Sequence, residues 1–112
     1  AKRLPAPPPK NRMREYVIGE NKNGGIERFK IGKHAKKSNI CGIVGFIEEE
    51  CFVFWQDSIN RWINDLSRYD DFWNVDEKII MYEETKISAF SLSIAHRKDE
   101  SDISLYHFWI KI

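Results

Sequence analysis

The chain has 112 residues, of which 42% are hydrophobic and 13% aromatic, and its formal net charge at pH 7 is +1. This length corresponds to one domain with one core, and the hydrophobic content excludes a chain that is disordered throughout. No apolar run approaches the roughly 20 residues that a membrane-spanning helix needs. The N-terminal sequence AKRLPAPPPK lacks the apolar segment of a secretory signal. We therefore expect a soluble, cytoplasmic protein with no membrane partner.

The small net charge hides an uneven distribution along the chain. Residues 1–38 contain eleven Lys and Arg against three Glu, whereas residues 39–112 contain seven Lys and Arg against fourteen Asp and Glu. Such a basic end can attract polyanions or acidic protein surfaces, unless the two parts neutralise each other after folding. The sequence leaves both outcomes open.

Residues 1–12, AKRLPAPPPKNR, are predicted to form a basic, proline-rich arm ahead of a single domain at residues 13–112. The prolines remove backbone donors and favour an extended polyproline II path. Because Leu4 is the only large apolar residue of this arm, we expect the arm to build no core. It then either extends freely or lies in a groove of a partner.

Residues 15–32, EYVIGENKNGGIERFKIG, carry a β-hairpin signal. The pair Asn23-Gly24 is typical of a type I′ turn, in which both central residues have positive φ. A turn centred there pairs Tyr16 with Ile31 and places the apolar residues on one face, so turn and pattern predict the same register.

Two apolar runs follow, ICGIVGFI at residues 40–47 and CFVFW at 51–55, and they predict buried strands joined by residues 48–50. Cys41 and Cys51, the only cysteines, would lie roughly 17 Å apart on such a hairpin at about 3.4 Å per residue. A disulfide needs Cα atoms within about 7 Å. We therefore expect two buried, reduced thiols, and we expect no metal site because no further His or Cys cluster accompanies them.

The apolar period then becomes helical. In DSINRWINDLSRYDDFW the apolar residues form one stripe, with Asp57 or Ser58 as the expected N-cap. The members of this stripe are Ile59, Trp62, Ile63, Leu66, Tyr69, Phe72 and Trp73.

The last third predicts three more strands, at residues 78–83, 90–95 and 103–112. The predicted order ββββ-α-βββ indicates an α+β fold. It would consist of a curved antiparallel sheet of about six to seven strands with one amphipathic helix packed on a face. Strand order and oligomeric state stay undetermined.

The basic segment 28–37 is the first candidate site. It comprises Arg28, Lys30, Lys33, His34, Lys36 and Lys37. These cations suit a phosphate or an acidic partner, and a histidine that titrates near neutrality suits the proton transfers of a small ribonuclease. The simplest alternative is a solvated connector between strands. Catalysis would need a second proton-transfer group beside His34, which the sequence does not place.

The last two strands carry the second candidate. A hairpin that turns near Asp99 places Ser91 opposite His107, and a mid-strand serine is more typical of an ordinary polar cross-strand pair than of a nucleophile. His107, Trp109 and Lys111 share the face opposite Phe108 and form a candidate interface. Of the four tryptophans, Trp109 is the one most expected in a partner-binding surface.

The remaining motifs predict neither a catalytic residue nor a cofactor. The acidic pairs fall at turns and element ends, and no dinucleotide, phosphate-loop, RNA-recognition or zinc signature is present. Our leading expectation is a non-catalytic protein-interaction module, an inhibitor or immunity-type protein or a subunit of a larger assembly, which docks through its basic segment and arm. The alternatives are an RNA- or DNA-binding module that uses residues 28–37 and, third, a small ribonuclease with His34.

Overall fold

The computed structural model of the protein describes residues 2–6, 13–98 and 100–112. Five strands form one sheet in the order β1-β2-β5-β4-β3. The elements in chain order are β1 (Lys2–Leu4), α1 (Gly25–Lys30), β2 (Ile40–Ile47), α2 (Phe52–Tyr69), β3 (Ile80–Glu84), β4 (Ser88–Ala95) and β5 (Ile103–Lys111). Short 3-10 turns at Glu20–Lys22 and Val75–Glu77 lie ahead of α1 and β3.

The predicted α+β class with one main helix is confirmed, but the predicted sheet is wrong in strand number and direction. The described residues form five strands, and β2 runs parallel to both of its neighbours, β1 and β5. Only the pairings of β3 with β4 and of β4 with β5 are antiparallel. The prediction fails because two of the apolar segments assigned to strands fold as helix.

The expected hairpin at residues 15–32 is instead a turn that leads into α1. Gly24 is the N-cap of α1 with φ −61°, so it does not adopt the positive φ of a type I′ turn. The chain needs glycine there for a different reason, since a Cβ on Gly24 would lie 2.3 Å from the Cα of Ile18. The first amides of α1 donate to the folded-back chain, as Ile26 N does to Tyr16 O at 2.9 Å, and these bonds replace the expected ladder.

The predicted strand at residues 51–55 is the first turn of α2. Cys51 is the N-cap, and its sulfur accepts from Phe54 N at 3.4 Å, so the helix begins ahead of the expected caps Asp57 and Ser58. Phe52 and Trp55 extend the buried stripe that continues with Ile59 and Ile63. Cys51 is exposed and Cys41 half-buried, and both are free thiols, so the expectation of two buried thiols is wrong.

The described part of the N-terminal arm belongs to the sheet. β1 pairs in parallel with Gly45–Ile47 of β2, and the Leu4 side chain is 1% exposed within the core. The expectation that this arm builds no core is therefore wrong for residues 2–6. The proline run at residues 7–9 lies outside the described residues, so its path and the boundary of the arm stay predictions.

All the described elements that pack on the sheet cover the same face. The odd-numbered residues of β2 and β5, such as Ile43 and Leu105, point into a core that also contains Tyr16, Ile26 and residues of α2. The predicted register of the last hairpin is confirmed, because Ser91 pairs with His107. The faces of β5 are nevertheless the reverse of the expected ones, as the next section describes.

A buried ion pair connects α1 to the segment before β3. Lys30 Nζ donates to the Glu77 carboxylate and, at 3.0 Å, to His96 O, and it lies 4.6 Å above the ring of Phe72. Glu77 also accepts from two backbone amides, Asn74 N and His96 N. Burial lowers the pKa of Lys30, while Glu77 opposes that shift. The sequence suggested a solvated turn residue at Glu77 and a surface cation at Lys30, but both side chains are buried.

Replacing Lys30 should destabilise the fold strongly. Lys30→Met leaves the Glu77 carboxylate buried without its cation, so we expect the free energy of unfolding to fall by about 3–5 kcal/mol. Urea denaturation followed by circular dichroism measures this change. The matched control is Lys33→Met at an exposed position, where we expect a loss below about 1 kcal/mol. Equal stability of the two variants would contradict the role given to the buried pair.

Candidate functional site

The Ser91 and His107 pair is no catalytic dyad. His107 is buried, and its two ring nitrogens contact other residues, Nδ1 with Tyr16 Oη at 2.6 Å and Nε2 with Ser93 Oγ at 2.8 Å. Ser91 Oγ is buried without a hydrogen-bond partner among the described residues. The two side chains are neighbours across the strands but do not hydrogen-bond.

The donors of this buried chain can be assigned from chemistry. Trp109 Nε1 can only donate, and it lies 3.1 Å from Tyr16 Oη. His107 Nδ1 is the one acceptor within reach of the Tyr16 proton among the described contacts, so we assign Tyr16 Oη as the donor and Nδ1 as the unprotonated nitrogen. The proton of the neutral ring then lies on Nε2 and is donated to Ser93.

Burial keeps both titratable groups of the chain neutral. It lowers the pKa of His107 to about 3 and raises the pKa of Tyr16 well above its ordinary value. An imidazolium would also direct a second N–H at the hydroxyl oxygen of Tyr16, which already accepts from Trp109. His107 therefore acts as a structural connection between the N-terminal segment and β5, and not as an acid or base.

The expected interface of His107, Trp109 and Lys111 is wrong for its first two members. Both side chains are fully buried, because Tyr16 and Ser93 satisfy the polar atoms of His107 and thereby allow this face of β5 to enter the core. Lys111 is exposed, and its Nζ lies 5.3 Å above the ring of Phe52 at the helix-covered side of the sheet.

The structure places the members of the basic segment 28–37 in four different surroundings. Lys30 is buried with Glu77, as described above. Arg28 and His34 line a groove between α1 and the edge of β2. Lys33 is exposed but donates to Asn21 O at 2.7 Å and to Asn23 Oδ1 at 3.0 Å. The other two members, Lys36 and Lys37, are exposed.

No acid–base pair forms around His34 in the described part of the chain. Its ring contacts Phe29, with 5.8 Å between ring centroids, and no second titratable side chain hydrogen-bonds to it there. Two acidic side chains, Asp76 and Asp102, both contact the ring of His96, and their hydrogen bonds raise the pKa of this histidine. Within the described residues, no group of three His, Cys, Asp or Glu side chains could hold a metal ion.

The outer face of the sheet is the surface that sequence analysis missed. No described element covers this face, which we call the open face, and its side chains are mostly apolar. Its residues on β2, β5 and β4 are Ile40, Gly42, Val44, Phe46, Ser104, Tyr106, Phe108, Ile110, Ser88, Phe90, Leu92 and Ile94. Ile80 and Tyr82 of β3 extend the face, and both are exposed.

Four aromatic side chains form the centre of the open face, and we call them the aromatic cluster. Phe90 is its middle member, with ring centroids 5.8 Å from Tyr106, 5.1 Å from Phe108 and 6.3 Å from Tyr82. Phe108 is 46% exposed and Tyr82 is 62% exposed. Rings held this close in solvent form a broad and preorganised apolar surface.

One sequence pattern, the alternation of small and large residues in β4, indicates which face of the sheet is open. Both faces of β5 are apolar, so its alternation alone does not say which face is buried. β4 is more informative, because Ala89, Ser91, Ser93 and Ala95 alternate with larger residues. The small side chains are the buried ones, since they allow the helix-side elements to approach the sheet closely.

Comparisons of the chain with protein-family models, with curated proteins and with solved structures find no match. Among the described residues, no helix is both long and apolar enough to span a bilayer.

The buried chain through His107 should contribute measurably to stability. Tyr16→Phe leaves Trp109 Nε1 without an acceptor and His107 Nδ1 without a donor, so we expect a loss of about 2–4 kcal/mol in the free energy of unfolding. Tyr82→Phe removes the same hydroxyl from an exposed ring and should change stability by less than about 0.5 kcal/mol. Urea denaturation compares them, and similar losses would contradict the network.

The same histidine should make the fold acid-sensitive. The folded pKa of about 3 lies below the ordinary value of 6.5, so the unfolded state binds the proton first as the pH falls. As the pH falls from 6.5 to 3, the free energy of unfolding should therefore decrease by about 1.4 kcal/mol per pH unit. In His107→Gln, the slope of the unfolding free energy against pH should be smaller by about 1.4 kcal/mol per pH unit, which is the contribution of one proton. An unchanged slope in this variant would show that His107 titrates normally.

Proposed function

We propose that the protein is a non-catalytic protein-interaction module, an inhibitor or immunity-type protein or a subunit of a larger assembly, and that the open face binds its protein partner. The observation that carries this proposal is the aromatic cluster, which lies in solvent on a sheet that all the described helices cover from the other side. Exposed apolar patches of several hundred Å² mark interaction sites on proteins.

The size of the open face suits an interface core. Four strands about 4.8 Å apart, with five to nine residues of about 3.3 Å each, give a face of about 400–500 Å². A stable interface buries about 800 Å² on each partner and has an apolar centre with a polar rim. The open face would supply the centre, and side chains at its margins such as Arg3 and Glu83 would supply part of the rim.

Nucleic-acid binding is the second candidate, because exposed aromatic rings on a sheet can stack bases. The charges of the open face support a protein partner instead. Among its paired positions the one cation is Arg3, which forms an ion pair with Glu48, and Glu83 is an acid directly opposite Phe90. A surface without available cations lacks the attraction to phosphates on which nucleic-acid affinity depends.

A ribonuclease function has the least support. His107 is buried and neutral, and His34 has no described proton-transfer partner within hydrogen-bond distance. The original expectation of docking through the basic segment stays a proposal for Arg28, Lys33, His34, Lys36 and Lys37.

Substitutions on the open face should abolish partner binding without unfolding the domain. We expect Tyr82→Ser/Phe108→Ser to lose a stoichiometric protein partner that the wild-type chain retains in a quantitative pull-down from its native source. Both side chains are about half exposed or more, so the melting temperature should change little. The matched control is Tyr69→Ser, which removes an exposed ring from α2 on the opposite side of the sheet.

Retention of the partner by the open-face variant, or its equal loss by the Tyr69 control, would overturn the proposal. Sedimentation of the purified chain tests whether a second copy occupies the open face. In that case the wild-type chain is a dimer and the open-face variant is a monomer. Nucleic-acid binding would be favoured if the chain binds an RNA oligonucleotide tightly, if the affinity falls steeply as salt rises, and if binding requires Phe108.

A further inference from the structure

We infer that the edge of β2 beside α1 is a separate binding site, which takes an extended acidic segment of another protein by strand addition. This site lies at the groove and strand edge and does not depend on the open face being an interface. It involves Gly42 and Arg28, whereas the open-face proposal is tested at Tyr82 and Phe108.

Among the described residues, no strand covers the edge of β2 at residues 40–44. Ser104 N donates to Asn39 O and Ile112 N to Ile47 O, so odd-numbered residues turn their polar groups toward β5. Glu48 N donates to Leu4 O, so even-numbered residues turn theirs toward β1. β1 as described pairs only with Gly45–Ile47. The N–H and C=O groups of Gly42 therefore point outward, and this residue is exposed.

A groove of about 400 Å³ runs beside this edge. One wall is the strand itself at residues 41–44, and the other consists of Arg28 and Phe29 of α1 with His34 of the following turn. An exposed strand edge next to a groove is the geometry in which proteins bind an added peptide strand, with backbone bonds for affinity and the groove for selectivity.

The charge of the groove selects an acidic ligand. No acidic side chain is among the described residues that line it. Arg28 Nε is buried and has no hydrogen-bond partner in the described part of the chain. Lys2 also lines the groove but is paired with Glu15 at 3.7 Å. Arg28 is thus the cation best placed for a carboxylate, while the exposed Lys36 and Lys37 of the following turn add positive field.

Backbone chemistry favours a peptide over a nucleic acid at this edge. A strand edge presents N–H and C=O groups in alternation, and a peptide backbone satisfies both kinds. The phosphate groups of a nucleic acid are acceptors only, so they can pair with the outward N–H of Gly42 but not with its carbonyl.

The register also predicts the sequence pattern of the ligand. Side chains of an added strand that lie beside Ile40 and Val44 would extend the apolar open face. Side chains beside Cys41 and Ile43 would instead enter the groove near Arg28. The matching segment is about five residues long, like the uncovered part of β2, and alternates apolar β-branched residues with Asp or Glu.

A labelled synthetic peptide tests this inference. The probe is a blocked six-residue peptide in which Glu alternates with Val, followed by fluorescence anisotropy at low salt with the full chain. We expect binding that weakens with salt and is about tenfold weaker, or absent, when Lys replaces Glu in the probe. Arg28→Gln should weaken binding of the Glu probe severalfold.

A pair of substitutions at Gly42 separates strand addition from simple charge attraction. Gly42→Pro removes the outward N–H without touching the ladder to β5, and proline is tolerated on edge strands. We expect it to weaken binding about tenfold or more. Gly42→Ala keeps the N–H and has room, since its Cβ would lie 3.7 Å from the nearest atom, Tyr106 O. It should bind as the wild-type chain does.

Amide hydrogen exchange of the wild-type chain gives a readout that needs no variant to fold. The Gly42 amide should exchange rapidly alone and slowly with the probe. No binding at about 1 mM peptide, equal binding of the Lys probe, or an unprotected Gly42 amide would overturn the inference. A uridine oligonucleotide that binds through Arg28 and tolerates Gly42→Pro, while the peptide does not bind, would assign the groove to a polyanion and also overturn it.

Discussion

The hydrogen-bond chain from Trp109 through Tyr16 and His107 to Ser93 decides which face of the sheet is the core. A neutral imidazole with both nitrogens satisfied can be buried at little cost, whereas an unsatisfied one could not. Once His107 is inside, its face of β5 carries Leu105 and Trp109 into the core. Phe108 and Ile110 must then point the other way, and the open face is the direct consequence.

This constraint explains why the sequence predicted the register of the last hairpin but not its orientation. The two strands follow each other in the chain, so a hairpin centred between them places Ser91 opposite His107. The choice of face depends on Tyr16, which lies 91 residues before His107 in the chain. Polar residues at alternate positions ordinarily indicate a solvent-facing side, and only a distant partner reverses that rule.

The other incorrect predictions have the same origin, because in each case a tertiary contact overrides the local sequence pattern. Asn23-Gly24 is a strong turn pair, but the close approach of Ile18 uses Gly24 for space and α1 begins there. The run CFVFW is as apolar as a buried strand, yet Phe52 and Trp55 continue the helical stripe of α2. The sequence places Lys30 in a basic surface segment, but its ion pair with Glu77 holds it in the interior. Besides the register of the last hairpin, the sequence correctly predicted the α+β class and the middle of α2, which rest on long periodic segments.

The two proposed surfaces meet along β2, and this contiguity has an energetic consequence. Val44 is on the open face, while its strand edge borders the groove of Arg28. A strand added at that edge would place alternate side chains beside Val44 and widen the apolar face by one strand, because sheet faces continue across neighbours. A partner that presents both an acidic extended segment and an apolar surface would then bury one continuous interface. Each part would bind more strongly once the other is held in place, since the second contact becomes intramolecular.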